Sequence, residues 1–465
     1  MIRIETIETS DLGDHSYVAT DGEIAVVVDP QRDIDRMLEP AERLEARITH
    51  VFETHIHNDY VTGGLELARR TGADYVLSAD DDVAFERKPI SDGETIASGG
   101  LRMRALHTPG HTHNHLGYVL EDGDGKPLAV FTGGSLLYGT TGRTDLVGPE
   151  HTTELTHRQF ASAQRLAAEL PPDTQVFPTH GFGSFCTATP ASSEPSTIAH
   201  EIRVNPALTM SEQEYVDQLV AGLDAYPAYY ARMAPINREG PAPVDLSLPE
   251  PVDGATLRRR IDNGEWVVDL RERTAFAAGH LPGSLAFELS RNFANYLGWL
   301  YRWGVPITLI GDSGDQVAEA RRRLARIGVD RLAGMSVGDI HAFAGGRDLR
   351  SYPVRSFADL AREQAVRPVR VLDLRRHSER AEGGVRGSRH IPLHELADRL
   401  DEVPEGELWV YCASGYRSSV AASILDRPGR QVVLIDDHYA SAREAGLDDG
   451  EDGDDGEDGE GGTPS

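Results

Sequence analysis

The chain has 465 residues, of which 39% are hydrophobic and 26% charged, and its formal net charge is −29. This length is typical of about two to four domains, and the composition is typical of a globular protein. The negative charge argues against nucleic acid and anionic membranes as partners.

No apolar stretch approaches the roughly 18 residues that span a bilayer. The N-terminus also lacks a basic segment followed by an apolar run. The two cysteines, Cys186 and Cys412, lie in different predicted domains, so a disulfide framework is excluded and each is judged as a separate thiol. We therefore expect a cytoplasmic protein without a membrane partner.

Residues 1 to about 240 alternate short apolar runs with loops and helical patterns. Apolar runs that end in polar loops predict strands at 24–28, 48–52, 103–106, 128–132 and 175–178. Apolar residues at helical spacing predict helices at 61–70, 154–170 and 210–233.

A proline-rich stretch, residues 240–251, has the composition of a linker. Two similar segments follow, at 252–345 (the first copy) and 350–447 (the second copy). Each contains a strand ending in Asp-Leu-Arg, then a His, an apolar residue and a Pro. This repeat predicts a duplicated α/β domain. The acidic, glycine-rich tail at 448–465 is expected to be disordered.

Histidine and aspartate side chains follow three of the predicted strands. His55, His57 and Asp59 lie in Thr-His-Ile-His-Asn-Asp-Tyr at 54–60, and later strand ends carry His111 and His180. Loops at strand ends direct several side chains into one cavity, and imidazole and carboxylate groups are metal ligands. The sequence therefore predicts a metal centre.

This ordered set resembles the metallo-β-lactamase fold, whose signature is His-x-His-x-Asp-His with two later histidines and a bridging aspartate. The resemblance covers about residues 1–240. Within that superfamily the segments 131–137, 142–145 and 180–186 are most similar to the persulfide dioxygenases, also called sulfur dioxygenases.

Two positions depart from the family pattern. Tyr60 stands where the family has a second-metal histidine, and Gly134 stands where it has an aspartate. In the dioxygenases that aspartate completes an iron site with two histidines, which match His55 and His111. Since glycine has no side chain to coordinate an ion, the usual iron triad is incomplete.

Two outcomes stay open for this domain. In one, His57 joins His55 and His111 in a three-imidazole site that holds Fe(II), the first choice, or Zn(II). In the other, the domain holds little or no metal and serves as a binding module. A dinuclear hydrolase is disfavoured by both departures.

The resemblance implies that a metal-loaded domain oxidises a persulfide such as glutathione persulfide to sulfite and the free thiol. It also implies that Arg143 contacts a substrate carboxylate, with a structural salt bridge as the alternative. The matching family cysteine places Cys186 near the cavity, with a buried inert thiol as the alternative.

A second candidate site follows an apolar strand near the C-terminus, at Tyr-Cys-Ala-Ser-Gly-Tyr-Arg, residues 411–417. The backbone N–H groups of this loop and the Arg417 guanidinium are expected to stabilise a Cys412 thiolate, which can attack a sulfane sulfur. The loop residues predicted to surround the bound sulfur are Ser414, Gly415 and Tyr416.

Four residues separate Cys412 from Arg417, a spacing that resembles the rhodanese loop and is shorter than that of the related phosphatases. With Asp373, Arg375 and His390, the resemblance covers about residues 350–447. One departure is Asp-Asp-His at 436–438, where the family has a Gly-Gly-aromatic turn. It is expected to alter the rim of the pocket and not the nucleophile.

The matching loop of the first copy, residues 310–316, has neither cysteine nor arginine and contains two aspartates, which would repel an anion. The first copy is therefore predicted to be a pseudo-rhodanese domain.

Taken together, these patterns predict an α/β multidomain protein. An αββα metallo-β-lactamase sandwich at 1–245 is followed by a pseudo-rhodanese domain at 252–345, a rhodanese domain at 350–447 and the tail.

This order resembles fused persulfide dioxygenase–sulfurtransferases of bacterial sulfide detoxification. The expected partners are small thiol persulfides, thiosulfate and sulfite. One alternative is a rhodanese sulfurtransferase with an impaired binding module. Another is a thioester hydrolase of the glyoxalase II type, against which Tyr60 and Gly134 argue. The sequence leaves open whether the chain forms a homo-oligomer.

Overall fold

The structure is a computed structural model that describes residues 2–187, 189, 191, 195–346 and 348–449. The strands are β1 (Arg3–Thr9), β2 (Asp14–Thr20), β3 (Ile24–Val28), β4 (Arg47–Phe52), β5 (Asp74–Ser78), β6 (Lys88–Ile90), β7 (Thr95–Ser98), β8 (Leu101–His107), β9 (Leu116–Glu121), β10 (Pro127–Gly133), β11 (Gln175–Pro178), β12 (Ser196–Thr197), β13 (Trp266–Asp269), β14 (Leu285–Ala286), β15 (Ile307–Gly311), β16 (Leu332–Val337), β17 (Val354–Arg355), β18 (Val371–Asp373), β19 (Arg389–His390), β20 (Gly406–Tyr411) and β21 (Arg430–Ile435).

The helices are α1 (Asp35–Arg43), α2 (Gly64–Thr71), α3 (Thr152–Glu169), α4 (Ile198–Val204), α5 (Pro206–Thr209), α6 (Glu212–Gly222), α7 (Tyr230–Glu239), α8 (Gly254–Asp262), α9 (Arg273–Ala278), α10 (Phe293–Leu300), α11 (Gly314–Arg326), α12 (Ile340–Ala344), α13 (Phe357–Gln364), α14 (His377–Ala381), α15 (Tyr416–Leu425) and α16 (Ala440–Glu444). In the described part of the chain, every helix is too short or too polar to cross a membrane.

The first of two compact units contains residues 1–248, 290–301 and 318–332. Its two six-stranded sheets have the orders β1-β2-β3-β4-β5-β6 and β12-β11-β10-β9-β8-β7. Strands β3 to β6 pair in parallel, whereas β7 to β10 are antiparallel. The five predicted strands of this region all form.

The core of this unit lies between the two sheets. Strands with period-2 alternation turn Tyr17 and Phe52 of one sheet toward Tyr118, Leu120 and Phe131 of the other. Helices pack on the opposite face of each sheet.

The outer faces carry separate apolar clusters. Val27 packs with Met37 of α1 on the first sheet, and Val119 packs with Leu166 of α3 on the second. These four layers are the predicted αββα sandwich.

One predicted helix is divided in the structure. The pattern at 210–233 predicted a single helix, but α6 ends at Gly222 and α7 begins at Tyr230. Pro227 lies between them; it lacks an N–H donor and disfavours helical geometry at the residue before it. The aromatic residues of this stretch therefore lie partly in an irregular segment.

Residues 290–301 and 318–332, which the sequence assigned to the pseudo-rhodanese domain, belong to the first unit. Asn295 accepts a hydrogen bond from the Tyr229 hydroxyl at 2.9 Å and donates to the Asp11 carbonyl at 2.7 Å. Arg326 pairs with the buried Asp33 at 2.7 Å. Long-range polar contacts of this kind leave no periodic signal in a sequence.

The second unit contains residues 249–289, 302–317 and the chain from 333 onward. It has a four-stranded sheet of order β14-β13-β15-β16 and a five-stranded sheet of order β17-β21-β20-β18-β19. Strand β13 pairs in parallel with β14 and β15, and all the pairs of the larger sheet are parallel.

The two copies share one local arrangement, which we call the Asp–Arg clamp. Arg271 donates to Asp269 and to the Gly279 carbonyl in the first copy, and Arg375 donates to Asp373 and to the Gly383 carbonyl in the second. The clamp therefore supports the predicted duplication at the level of individual hydrogen bonds.

Part of the predicted disordered tail is ordered. The Gly384 amide donates to Asp449 at 2.6 Å, and Asp449 accepts from Arg380 at 2.8 Å. Residues 450–465 lie outside the described residues.

Candidate functional site

The five predicted metal ligands come together at the strand ends of the first unit. The ring centroid of His55 lies 4.1 Å from that of His57 and 4.8 Å from that of His111, and the His111 and His180 centroids are 5.0 Å apart. The carboxylate of Asp59 lies 3.3 Å from His180 Nδ1. All five side chains are buried. We call these residues the histidine cluster.

Three of the four imidazoles have one nitrogen held from outside the cluster. His55 Nδ1 lies 2.9 Å from Thr54 Oγ1, His111 Nδ1 2.7 Å from the Arg143 carbonyl, and His180 Nδ1 3.0 Å from Asp14 Oδ1. Because a carbonyl or carboxylate accepts, Nδ1 carries a proton in both His111 and His180. Burial lowers the pKa of His180, but Asp59 and Asp14 outweigh it and raise the pKa to about 9, so its Nε2 must lose a proton before it can bind an ion.

The Nε2 atoms of these three histidines, which are His55, His111 and His180, are buried and have no hydrogen-bond partner among the described residues. Burial, together with neighbouring histidines, lowers the pKa of His55 well below its usual value and that of His111 to about 3. Neutral imidazoles with unmet lone pairs fit a divalent cation, since metal ligands must be deprotonated.

In His57 the nitrogen held by neighbouring side chains is Nε2 and not Nδ1. Its Nε2 lies 3.0 Å from Glu53 and 3.3 Å from Asp29, while Nδ1 has no partner among the described side chains and backbone atoms. Burial lowers the pKa of His57, but the two carboxylates outweigh it and raise the pKa well above its usual value. Because Nε2 is held by these carboxylates, Nδ1 is the nitrogen that His57 could offer to an ion, and it must lose its proton to do so.

The groups of ligand atoms that lie close together do not coincide with the predicted trio of His55, His57 and His111, which stays a prediction. The ligand atoms of His55, His57 and His180 lie within 4.8 Å of one another. His111 instead groups with His180 and Cys186.

Residues 60 and 134, the two positions that depart from the family pattern, both lie against histidines of the cluster. The Tyr60 hydroxyl lies 2.9 Å from His57 Nε2. A Cβ atom at Gly134 would lie 2.4 Å from His111 Cδ2, and one at Gly142 would lie 2.7 Å from His111 Nδ1. The His111 ring therefore occupies the space that a carboxylate at residue 134 would need.

Four residues next to the histidine cluster have no counterpart in the sequence prediction: Asp14, Asp29, Glu53 and His115. The Gly134 N–H donates to His115 Nε2 at 2.9 Å, and the His115 ring stacks on His55 at 4.9 Å. Asp29 directly follows the buried strand β3, a position that could have marked it as a candidate. Asp14 begins β2 and has no such signal in the sequence.

Arg143 is engaged inside the protein. Its guanidinium donates twice to Asp145, at 2.7 Å each, and also to the carbonyls of Phe185 and Asp224. These contacts form the structural salt bridge that the sequence left as the alternative, and the contact with a substrate carboxylate stays a prediction. Cys186 is fully buried, with Sγ 3.8 Å from the Tyr230 hydroxyl, and burial raises the pKa of its thiol.

The predicted sulfur-transfer loop joins β20 to α15. Cys412 directly follows β20, is 2% exposed, and has its Sγ 3.5 Å from the Ser418 hydroxyl. Gly415 has φ +91°, a left-handed conformation that favours glycine. Of the residues predicted around the sulfur, Ser414 is exposed while Gly415 and Tyr416 are buried.

Arg417 contacts a residue that the sequence prediction missed. Its guanidinium donates to both oxygens of Glu379, at 2.5 and 2.7 Å. Burial raises the pKa of Glu379, but Arg417 outweighs it and lowers the pKa to about 2. The arginine is thus fixed by an ionised carboxylate beside the loop.

Strand register identifies the equivalent positions of the first copy. Ile310 pairs with Asp269 as Tyr411 pairs with Asp373. Gly311 therefore matches Cys412, and Gln316 matches Arg417. Gln316 accepts from the Asp312 amide at 2.7 Å and donates to the Leu270 carbonyl at 3.0 Å. The loop is closed by an amide side chain and has no nucleophile at this position.

Comparison with known proteins matches both parts of the chain. The metallo-beta-lactamase superfamily pattern covers residues 11–180, and the rhodanese-like domain covers residues 253–346 and 356–445. The probable polyketide biosynthesis zinc-dependent hydrolase BaeB of Bacillus velezensis is 32% identical over 164 residues, which are 34% of this chain and 68% of the hydrolase. The mitochondrial persulfide dioxygenase ETHE1 of Homo sapiens is 31% identical over 192 residues, covering 39% of this chain and 68% of the dioxygenase.

Among solved structures, a metallo-beta-lactamase from Staphylococcus aureus subsp. aureus COL covers 73% of this chain and 99% of its own, with a TM-score of 0.65 and 27% identity. The chain belongs to the metallo-beta-lactamase superfamily and carries two rhodanese-like domains after the lactamase domain. The predicted fold class and family resemblance are confirmed.

The close approach of the His111 ring to Gly134 should affect the stability of a variant with a side chain at this position. We expect Gly134→Ala to lower the free energy of unfolding by about 1–3 kcal/mol, since the added methyl group meets the buried ring. Urea denaturation followed by circular dichroism gives the value. Gly123→Ala is the matched control, because a Cβ there has no heavy atom within 4 Å. Equal stability of the two variants would show that His111 is free to move.

Proposed function

We propose that this protein acts on sulfane sulfur, by metal-dependent persulfide oxidation in the lactamase domain and sulfur transfer at Cys412. The observation that carries the proposal is the enclosed Cys412 thiol at the β20–α15 junction. Four residues separate it from an arginine that Glu379 holds in place. The equivalent loop of the first copy lacks both groups, so a single transfer site is proposed.

The transfer reaction uses this chain's own groups. The Cys412 thiolate attacks the outer sulfur of thiosulfate, a new S–S bond forms, and the old one breaks as sulfite leaves with the bonding electron pair. The outer sulfur of the resulting Cys412 persulfide then passes to a second nucleophile, such as cyanide or a thiol. Loop N–H groups at the start of α15 stabilise the anionic sulfur in both states.

In the first unit the histidine cluster is proposed to hold Fe(II) or, as the second choice, Zn(II). A bound iron ion would supply oxygen-dependent redox chemistry, whereas zinc would act as a Lewis acid. The protein's own contribution is to fix the imidazoles from behind through Thr54, Asp14 and the Arg143 carbonyl, and to keep bulk water away from the buried cluster. Small thiol persulfides such as glutathione persulfide are the proposed substrates.

A second candidate function has an observation in its favour. The His111 ring fills the space beside Gly134, so the iron site of two histidines and a carboxylate cannot form there. In this alternative the lactamase domain binds a thiol substrate without turning it over, and only Cys412 catalyses. Relatives named hydroxyacylglutathione hydrolase give a reason to assay thioester hydrolysis as a third activity.

Cys412→Ser should abolish thiosulfate–cyanide sulfurtransferase activity, with a loss of about 10³-fold or more in kcat, because a serine hydroxyl does not replace the thiolate nucleophile. Thiocyanate release by the full chain measures this. The control is Ser313→Ala in the matching loop of the first copy, which should leave the rate unchanged. Activity that survives in the Cys412 variant would contradict the proposed nucleophile.

Iron-loaded full chain should consume O2 when it is given glutathione persulfide, and His55→Ala should reduce that uptake to background. Cys412→Ser should leave the uptake intact, since the two sites are separate. An oxygen electrode gives the rates, with sulfite release as the second readout.

The absence of oxygen uptake at every iron loading would remove the dioxygenase half and leave the binding-module alternative. Hydrolysis of S-lactoylglutathione by the zinc-loaded chain, without oxygen uptake, would favour the thioester hydrolase instead.

A further inference from the structure

A carboxylate outside the predicted ligand set lies against the histidine cluster. Asp14, at the start of β2, is fully buried, and its Oδ1 accepts from His180 Nδ1 at 3.0 Å. The His15 amide donates to the Thr179 carbonyl at 2.8 Å, so the backbone also joins these two segments. His180 therefore has Nδ1 fixed by Asp14 and presents Nε2 on its other side.

We propose that the metal ion is held by His55, His57 and His180, with Asp14 as the positioning residue that makes His180 a ligand in place of the carboxylate missing at Gly134. This inference rests on the metal-dependent half of the proposed function. The three ligand atoms lie within 4.8 Å of one another. His55 Nε2, His57 Nδ1 and His180 Nε2 are all buried and lack a hydrogen-bond partner in the described part of the chain.

Carboxylates lie behind two of the three proposed ligands. Asp14 lies behind His180, and Asp29 and Glu53 lie behind His57. A carboxylate that accepts from the second nitrogen of an imidazole fixes the ring and makes its other nitrogen a stronger donor. The carboxylates of this site thus lie one imidazole ring away from the proposed ion position and act by orienting the ligands.

Metal binding by the full chain tests this inference without any activity assay. Zn(II) and Co(II) are titrated into metal-free protein, with calorimetry for affinity and Co(II) absorption for the ligand environment. We expect Asp14→Ala to weaken binding by about 10- to 100-fold. His180→Ala should give a similar loss, and the double variant should lose no more than His180→Ala alone, because Asp14 acts through His180.

The matched control is Asp11→Asn, another buried carboxylate of the same region, which pairs with Arg326 at 3.0 Å and lies outside the cluster. It should bind both ions like the unchanged chain. If Asp14→Ala fails to fold by circular dichroism, Asp14→Asn, which keeps the side-chain shape and loses the charge, carries the test. We expect at least a severalfold loss for it.

Two results would overturn the inference while leaving metal-dependent function in place. One is unchanged affinity in the Asp14 variants. The other is a larger loss in His111→Ala than in His180→Ala, which would locate the ion with His111. An unchanged chain that binds neither ion would remove both this inference and the metal-dependent half of the proposed function.

A separate observation concerns the sulfur-transfer loop. A Cβ atom at Gly415 would lie 1.9 Å from Asp436 Oδ1, so this carboxylate lies directly against the loop. Arg273 of α9, in the first copy, donates to Asp436 at 2.7 Å and to Glu288 at 2.7 Å. An uncompensated carboxylate here would repel an anionic sulfur donor.

We infer that Arg273 is a positioning residue for sulfur transfer, which neutralises Asp436 so that an anion can approach Cys412. The pseudo-rhodanese copy thereby contributes to the chemistry of its neighbour. This inference rests on Cys412 sulfur transfer and is independent of any metal.

Arg273→Gln should raise the KM for thiosulfate about fivefold or more, with a smaller change in kcat, and the effect should shrink at high salt. Adding Asp436→Asn to this variant should restore the KM, because it removes the charge that Arg273 neutralises. Arg350→Gln is the control, since Arg350 pairs with Asp426 at the far end of α15, at 2.6 Å.

A double variant that fails to recover, or an equal KM rise in Arg350→Gln, would overturn this inference and point to a purely structural ion pair. The absence of sulfurtransferase activity in the unchanged chain would instead contradict sulfur transfer at Cys412.

Discussion

The first unit depends on one constraint: four imidazole rings share a buried volume, and nearly every nitrogen that faces away from it is held by a neighbour. Thr54, Asp14 and the Arg143 carbonyl hold three of these nitrogens. Glu53 and Asp29 hold the fourth. Each buried polar atom left without a partner costs about 1–3 kcal/mol, so the inward-facing nitrogens are tolerable only if something binds them. This is why the cluster is better described as a prepared cation site than as a set of core histidines.

The same constraint explains how the site tolerates its two departures from the family. At residue 60 the tyrosine hydroxyl supports His57 from behind, and at residue 134 the absent side chain leaves space that the His111 ring fills. Neither change opens the cluster to solvent. In this cluster the carboxylates Asp14, Asp29 and Glu53 contact imidazole nitrogens.

Much of this architecture could be predicted from the sequence, because it depends on local patterns. Apolar runs located the strands of the sandwich, and motifs at their ends located the five residues of the histidine cluster and Cys412. What could not be predicted depends on contacts between distant residues. Asp14 lies 166 positions from His180, and Glu379 lies 38 positions from Arg417. Arg143 was ambiguous for the same reason: its sequence context is the same whether its partner is a substrate or Asp145. The prediction of a single helix at 210–233 did not take Pro227 into account.

The Asp–Arg clamp is present in both rhodanese copies, although only one of them has a thiol. The groups that keep the strand ends aligned are therefore distinct from the group that reacts. Because the clamp does not depend on the cysteine, the loop that follows the strand can change without loss of the clamp. The loop of the first copy lacks the cysteine and the arginine, while Arg273 of the same copy pairs with Asp436 of the second. A duplicated domain can therefore keep its framework while one copy supplies side-chain contacts to the other.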